Sequence, residues 1–343
     1  MSQAIAWIGD PWQLDAGAPA AAGLTADLPT AGHPAADHLA ADGPRRPAPL
    51  TRDPLDPRHS GAWGPPAELG VPLDDRGLLL ADGLFETLLV EAGHPWRLEE
   101  HRQRWRDSAA LLELPPPPPT SVLLGLLAEA VARCGADGGV LRLNVSRGGG
   151  GRGLDPPVQP GPGAAAGSGP LPGAGPGPRP RFWLSYSPGG PCFEPLRLVL
   201  SRLETRNAAS LLSRCKNFAY GGSLVARREA RARGADDALL ASSAGGLCCA
   251  SASNLLVRLD GRWCTPPLSS GCLPGILRGL ALEQGLAVER PLSPEDLGNA
   301  EAALLLNSLG CRPVLACEGM ALPALSALEA EGLWRELLAG EGG

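Results

Sequence analysis

Lysine is nearly missing from this 343-residue chain: of its 30 cationic side chains one is Lys216 and the rest are arginine. Arginine serves wherever only a surface charge is needed, but its guanidinium stays protonated and cannot act as an amine nucleophile. Other shortages exclude whole classes of function. Of five histidines, His33, His38 and His59 fall in a low-complexity stretch, which leaves only His94 and His101 for a histidine-rich metal site or a Ser/His/Asp triad. The nine cysteines form no Cys-x-x-Cys pair and are odd in number, which argues against a secreted disulfide framework. No segment approaches the ~18 uninterrupted apolar residues of a membrane span, and MSQAIAWIGDPW lacks a basic region followed by a long apolar run. The expectation is a soluble cytoplasmic protein without membrane association. The net charge is -6 and the arginines are scattered among acids, so nothing points to nucleic acid.

The length suits two domains, but not all of it can fold. Leu14 to Gly61 is rich in Ala, Pro, Asp, Gly and His, and Pro156 to Pro180 is nearly all Pro, Gly and Ala. Neither stretch can bury enough apolar surface to offset its backbone entropy. The resulting division is a small N-terminal α/β domain over residues 1–155 with an insertion at about 13–62, a linker insertion at 156–180, and a larger domain over 181–343. In the first, Ala4 to Ile8, Gly83 to Val90 and Val140 to Val145 read as strands, and Leu98 to Leu114 and Ser121 to Cys134 as helices. In the second, strands are expected at Phe182 to Ser187, Leu196 to Ser201, Ala238 to Ala241, Asn254 to Leu259 and Ala302 to Asn307. Helices are expected at Phe218 to Arg233, Ile276 to Gln284 and Ala324 to Leu338. This is an α+β pattern rather than a βαβ alternation. SRGGGGRG at Ser146 to Gly153 has no helix after it and is not a dinucleotide loop.

A primary amine needed at neutral pH suggests Schiff-base chemistry with a carbonyl, most commonly pyridoxal phosphate. Compositional drift toward Arg, Ala, Gly and Pro is the competing explanation for a single lysine. The cofactor would also need an anion site and a partner for its ring nitrogen. Leu273-Pro274-Gly275-Ile276-Leu277 places Pro and Gly ahead of an apolar-periodic helix, so the amides of Ile276 and Leu277 would face a bound phosphate with the helix dipole behind them. An ordinary Pro-Gly turn explains the same residues. Arg104 could add a charge-assisted phosphate contact or be a solvated helix charge.

Seven segments in order resemble the class IV aminotransferase family. They are DDRGLLLADGLFETL (Asp74 to Leu88), LEEHRQRWRDSAALLEL (Leu98 to Leu114), RLNVSRGGGGRG (Arg142 to Gly153), RCKNFAY (Arg214 to Tyr220), ASASNLL (Ala250 to Leu256), TPPLSSGCLPGILRG (Thr265 to Gly279) and LLNSLGCRPV (Leu305 to Val314). The tail NSLGCRPV looks most like the 4-amino-4-deoxychorismate lyases. The resemblance implies a small α/β domain joined to a larger barrel-like domain, with pyridoxal phosphate between them and a homodimer completing the site. It implies that Lys216 holds the cofactor and shuttles protons, that Arg104 and the amides of Ile276 and Leu277 bind its phosphate, and that Tyr220 stands near its phenolate.

One position departs from the family. Relatives carry a glutamate five residues before the asparagine matching Asn254, and here that residue is Cys249, with no acid anywhere in Ala238 to Val257. A thiol of reference pKa ~8.5 is a weak partner for a ring nitrogen, so the ring would be a poorer electron sink. That favours elimination over transamination, and it also fits a buried small hydrophobe. The expected activity is conversion of 4-amino-4-deoxychorismate, a small-molecule substrate, to 4-aminobenzoate and pyruvate in folate synthesis. Arg147 and Arg152, on the glycine-rich loop, are candidates for its two carboxylates or are loop charges. The alternatives are a branched-chain or D-amino acid transaminase and a homologue that has lost catalysis. No metal site is expected.

Overall fold

In a computed structural model of the chain, the described residues are 3–12, 14, 61–150, 153–155 and 179–340. Nearly all of both low-complexity stretches, and Arg152, lie outside them. The first unit is a six-stranded sheet built from β1 (Ile5–Gly9), β2 (Ala62–Gly64), β3 (Gly83–Glu91), β4 (His94–Pro95), β5 (Gly139–Ser146) and β6 (Arg181–Pro188), in the order β2-β1-β6-β5-β3-β4. Helix α1 (Arg76–Leu80) precedes β3, and α2 (Leu98–Leu112) and α3 (Thr120–Cys134) separate β4 from β5.

Alternation along these strands gives the sheet two faces of different character. One packs under α2 and α3 in a core that includes Trp7, Leu88, Trp105, Leu127, Leu143 and Phe182. On the other face Phe85 pairs with Asn144, Thr87 with Arg142, and Asn144 with Trp183, so these five side chains stand together. That second face is the floor of the cavity described below.

The second unit contains β7 (Leu196–Arg206), β8 (Asp237–Ser242), β9 (Leu247–Ala250), β10 (Asn254–Leu259), β11 (Arg262–Thr265), β12 (Ala287–Glu289), β13 (Ala302–Asn307), β14 (Gly310–Cys317) and β15 (Met320–Ala321). Strands β10-β13-β14-β7-β8-β9 run in sequence around a ring, and the pairing of Asn254 with Cys249 joins β10 back to β9 and closes a six-stranded barrel. Leu239, Leu255, Val257, Leu305 and Val314 fill one core of this unit. Helices α4 (Gly221–Ala232), α5 (Ile276–Glu283), α6 (Pro294–Gly298) and α7 (Ala327–Ala339) complete it, with Trp334 of α7 buried against Leu277 and Leu280 of α5 in a second core. The fold is thus α+β, a small α/β unit joined to a larger barrel.

Three local expectations change, and β14 is added. β6 belongs to the first sheet, not the second unit, because it fills the gap between β1 and β5 and bonds to both. β7 continues past Ser201 to Arg206 through a register shift that lets Thr205 and Arg206 pair with Ala241 and Ser242. α4 starts at Gly221 rather than Phe218, because residues 216–218 are extended and zipped onto β3. β14, unforeseen because Gly310 and Pro313 interrupt its pattern, pairs Pro313 with Leu304 close to an irregularity at Val314 to Ala316, where a missing N–H is tolerated.

Candidate active site

A cavity of about 810 Å³ lies between the floor of the first sheet and the barrel. Lys216 reaches it because its segment is pinned to β3: Phe85 N donates to Lys216 O at 2.9 Å and Phe218 N donates to Gly83 O at 3.1 Å. Its Nζ stands 4.4 Å from the centroid of the Phe85 ring and donates to Tyr220 Oη at 3.3 Å. Burial, with help from the Arg104 and Arg142 charges and against Glu86, pulls the amine down to about 7. At neutral pH a large fraction is therefore the free amine, the form that attacks a carbonyl. Burial raises the Tyr220 phenol, which stays protonated.

The candidate anion site lies at the start of α5. Gly275 is its N-cap and contributes no side chain, so the amides of Ile276 and Leu277 have no acceptor from within the helix. Ile276 also lines the cavity, whereas the Leu277 side chain turns into the core. Asn254 holds the approach, its Nδ2 donating to Leu273 O at 3.0 Å. A Cβ on Gly275 would collide with Asn254 Oδ1, although the backbone there suits any residue. Gly275→Ala should therefore lower cofactor affinity about tenfold and stability by about 1–3 kcal/mol, read by cofactor titration and by thermal unfolding; unchanged values would remove Gly275 from the cradle.

Arg104 lines the cavity beside this loop and donates through Nη1 to Pro274 O at 3.1 Å. Its other edge is held by Glu86, with Nε to Oε1 at 2.9 Å and Nη2 to Oε2 at 2.5 Å. Burial alone would raise Glu86, but the Arg104 charge and His101 hold it at about 2. Neither Glu86 nor His101 was anticipated. The available signal was a lone acid inside the apolar strand LFETLLV.

Cys249 is buried in the barrel wall and lines the cavity. Among the described residues no carboxylate lines the cavity, and its charged lining residues are Arg104, Arg142, Arg206 and Lys216. Arg142 lies 3.7 Å over the Phe85 ring and bonds to Asn144 Oδ1, and Arg206 reaches Gly271 O at 3.4 Å; neither forms an ion pair among the described residues. Both were missed. Arg142 was visible as a charge in an alternating strand, whereas Arg206 fell beyond the strand end read from the sequence.

Arg147 does not line the cavity. Its Nε bonds to Asp82 at 2.7 Å and its two terminal nitrogens to the carbonyls of Glu113 and Leu112, so its guanidinium ties β5 to the end of α2. The charge that could have met a carboxylate is spent inside the small unit. Arg152 lies outside the described residues.

The donor set suits pyridoxal phosphate: a depressed lysine amine at one point, a side-chain-free helix start and a fixed guanidinium at another. Ser251 supports the fit independently, since it lines the cavity with its Oγ buried and without a partner among the described residues.

The comparisons agree. The chain is 28% identical to a fold IV transaminase of Curtobacterium pusillum, with a TM-score of 0.66 over 82% of this chain and 94% of that one. It is 30% identical to the structure of 4-amino-4-deoxychorismate lyase from Pseudomonas aeruginosa, with a TM-score of 0.63 over 78% and 95%. It is also 27% identical to a putative branched-chain-amino-acid aminotransferase of Methanocaldococcus jannaschii, over 67% of this chain and 76% of that protein. With residues 83–317 matching the model of amino-transferase class IV, the chain belongs to that family of pyridoxal phosphate enzymes.

Proposed function

We propose that this protein is a lyase that converts 4-amino-4-deoxychorismate to 4-aminobenzoate and pyruvate. The observation that carries the reading is a cavity without acids among its described lining residues, in which two arginines without an ion-pair partner among the described residues, Arg142 and Arg206, accompany the lysine amine. A substrate with one amine and two carboxylates matches that charge pattern. Bound there, pyridoxal phosphate supplies a carbonyl for the substrate amine and an electron sink whose strength depends on what faces its ring nitrogen. Cys249, whose thiol is only a weak hydrogen-bond partner, occupies the sequence position where relatives carry that group. A weak sink suits an elimination driven by formation of an aromatic ring better than a transamination, which needs a stabilised carbanion twice per cycle.

In this reading Arg142 and Arg206 bind the substrate carboxylates, and Phe85 and Trp183 form an aromatic floor that excludes water. Lys216 Nζ takes and returns the proton, with Tyr220 Oη orienting it. The homologous lyase structure supports the choice. A homodimer is part of the proposal: Leu78 and Leu79 of α1 are 59% and 60% exposed, and Leu78 borders the cavity. So is a cytoplasmic location.

The second reading is a transaminase for branched-chain or D-amino acids, favoured by the long match to the archaeal relative. Pyruvate released from 4-amino-4-deoxychorismate without any added keto acid would support the lyase; turnover only with a keto-acid acceptor would replace it with the transaminase. Arg142→Gln and Arg206→Gln should each raise KM for the dicarboxylate about 10–100-fold with smaller effects on kcat. An unchanged KM in either would show that its arginine does not meet the substrate.

A further inference from the structure

We propose that Glu86 and His101 are positioning residues that aim the Arg104 guanidinium at the anion cradle before α5. The inference rests on the reading of that cradle as the cofactor phosphate site.

Donor and acceptor bookkeeping permits one arrangement of this buried group. Glu86 is ionised and can only accept. Its two oxygens take the Nε and Nη2 edge of Arg104, and Oε2 also takes His101 Nδ1 at 2.6 Å. The proton of that contact therefore sits on Nδ1. The imidazole is fully enclosed, and burial, with the Arg104 and Lys216 charges, outweighs Glu86 and keeps it neutral. Nε2 is then bare, and its neighbour, Ser308 Oγ at 3.2 Å, must donate to it. The chain runs in one direction, Ser308 to His101 to Glu86, where it meets the opposing donation from Arg104.

This direction fixes the arginine. A carboxylate held only by a guanidinium fork can pivot with it, whereas Glu86 has a third donor arriving from a separate position on α2 and a fourth group, Ser308 on the β13–β14 turn, locking that donor's tautomer. With its Nε–Nη2 edge immobilised, Arg104 keeps Nη1 at the cavity, already against the carbonyl of Pro274, two residues before Ile276. The guanidinium is thereby prepared for an anion before one arrives, so binding need not order it. Neither Glu86 nor His101 lies among the residues lining the cavity, so both act through Arg104.

The test uses the full-length protein stripped of cofactor and titrated with pyridoxal phosphate and, separately, with pyridoxal, which lacks the phosphate. His101→Ala should raise the dissociation constant for pyridoxal phosphate about tenfold and leave that for pyridoxal within about twofold. His101→Asn, whose amide nitrogen can take the place of Nδ1 and donate to Glu86, should recover most of the phosphate-dependent loss. Equal weakening toward both ligands, or a loss in His101→Asn as large as in His101→Ala, would make the effect one of packing and overturn the inference. So would undiminished pyridoxal phosphate affinity in a His101→Ala protein shown by circular dichroism to be folded. If the unmutated protein binds pyridoxal phosphate no more tightly than pyridoxal, the phosphate reading of the cradle fails and this inference fails with it.

Discussion

Lys216→Ala is expected to lose pyridoxal phosphate on dialysis and to lower turnover by ~1,000-fold or more, because no other side chain in the protein offers a primary amine. Borohydride reduction of the loaded wild-type protein should leave the pyridoxyl group on the peptide containing Lys216. A label on the N-terminal amine instead would contradict the assignment. The pH dependence has a definite sign. Since burial holds the amine near 7, the rate of cofactor loading should rise as pH passes through about 7 and then level off; an exposed lysine would keep gaining up to its reference value of ~10.4. Stability follows the same shift. The folded state disfavours the charged amine, so the cost is fully present below pH 7 and is relieved as pH rises from about 7 toward ~10.4. Cofactor-free wild type should therefore gain stability relative to Lys216→Ala across that window, and a constant difference would show that the amine is not depressed.

Glu86→Ala should give the largest loss of stability, about 3–5 kcal/mol, because it leaves the Arg104 guanidinium buried without its carboxylate. Arg104 and Glu86 are only 7% and 2% exposed, so water cannot replace what is lost. Urea unfolding measures this directly, and a change under ~1 kcal/mol would mean the pair is not buried as described. The acid limb gives a second reading of the same interaction. With its folded value near 2 against a reference near 4.5, Glu86 stabilises the fold fully above pH 4.5, and that contribution disappears as pH falls toward 2. Glu86→Gln should lack this portion of the acid-induced loss.

Much of this arrangement was legible in the chain. Lys216 stood out as the one lysine among 30 cationic side chains, and the Pro274-Gly275 turn before an apolar helix marked the candidate anion site. Strands with strong apolar runs, such as Asn254–Leu259 and Ala302–Asn307, were readable to the residue. What escaped notice depended on partners distant in sequence. Leu247–Ala250 is too short and cysteine-rich to announce a strand, yet its pairing at Cys249 with Asn254 closes the barrel. Glu86 and Arg104 are 18 residues apart and look like unrelated charges until β3 and α2 pack together. Arg147 misled for the opposite reason. A glycine-rich loop suggests ligand contact, but Asp82 and the carbonyl groups ending α2 had already claimed the side chain.

The most direct measurement is 4-aminobenzoate formation from chorismate and glutamine in the presence of a separate aminodeoxychorismate synthase, with wild type and Lys216→Ala compared and no keto acid added. If Lys216 and the two cavity arginines act as proposed, wild type forms 4-aminobenzoate and pyruvate in equal amounts and the variant forms neither. A wild-type protein that retains pyridoxal phosphate through Lys216 but makes no 4-aminobenzoate would contradict the lyase assignment.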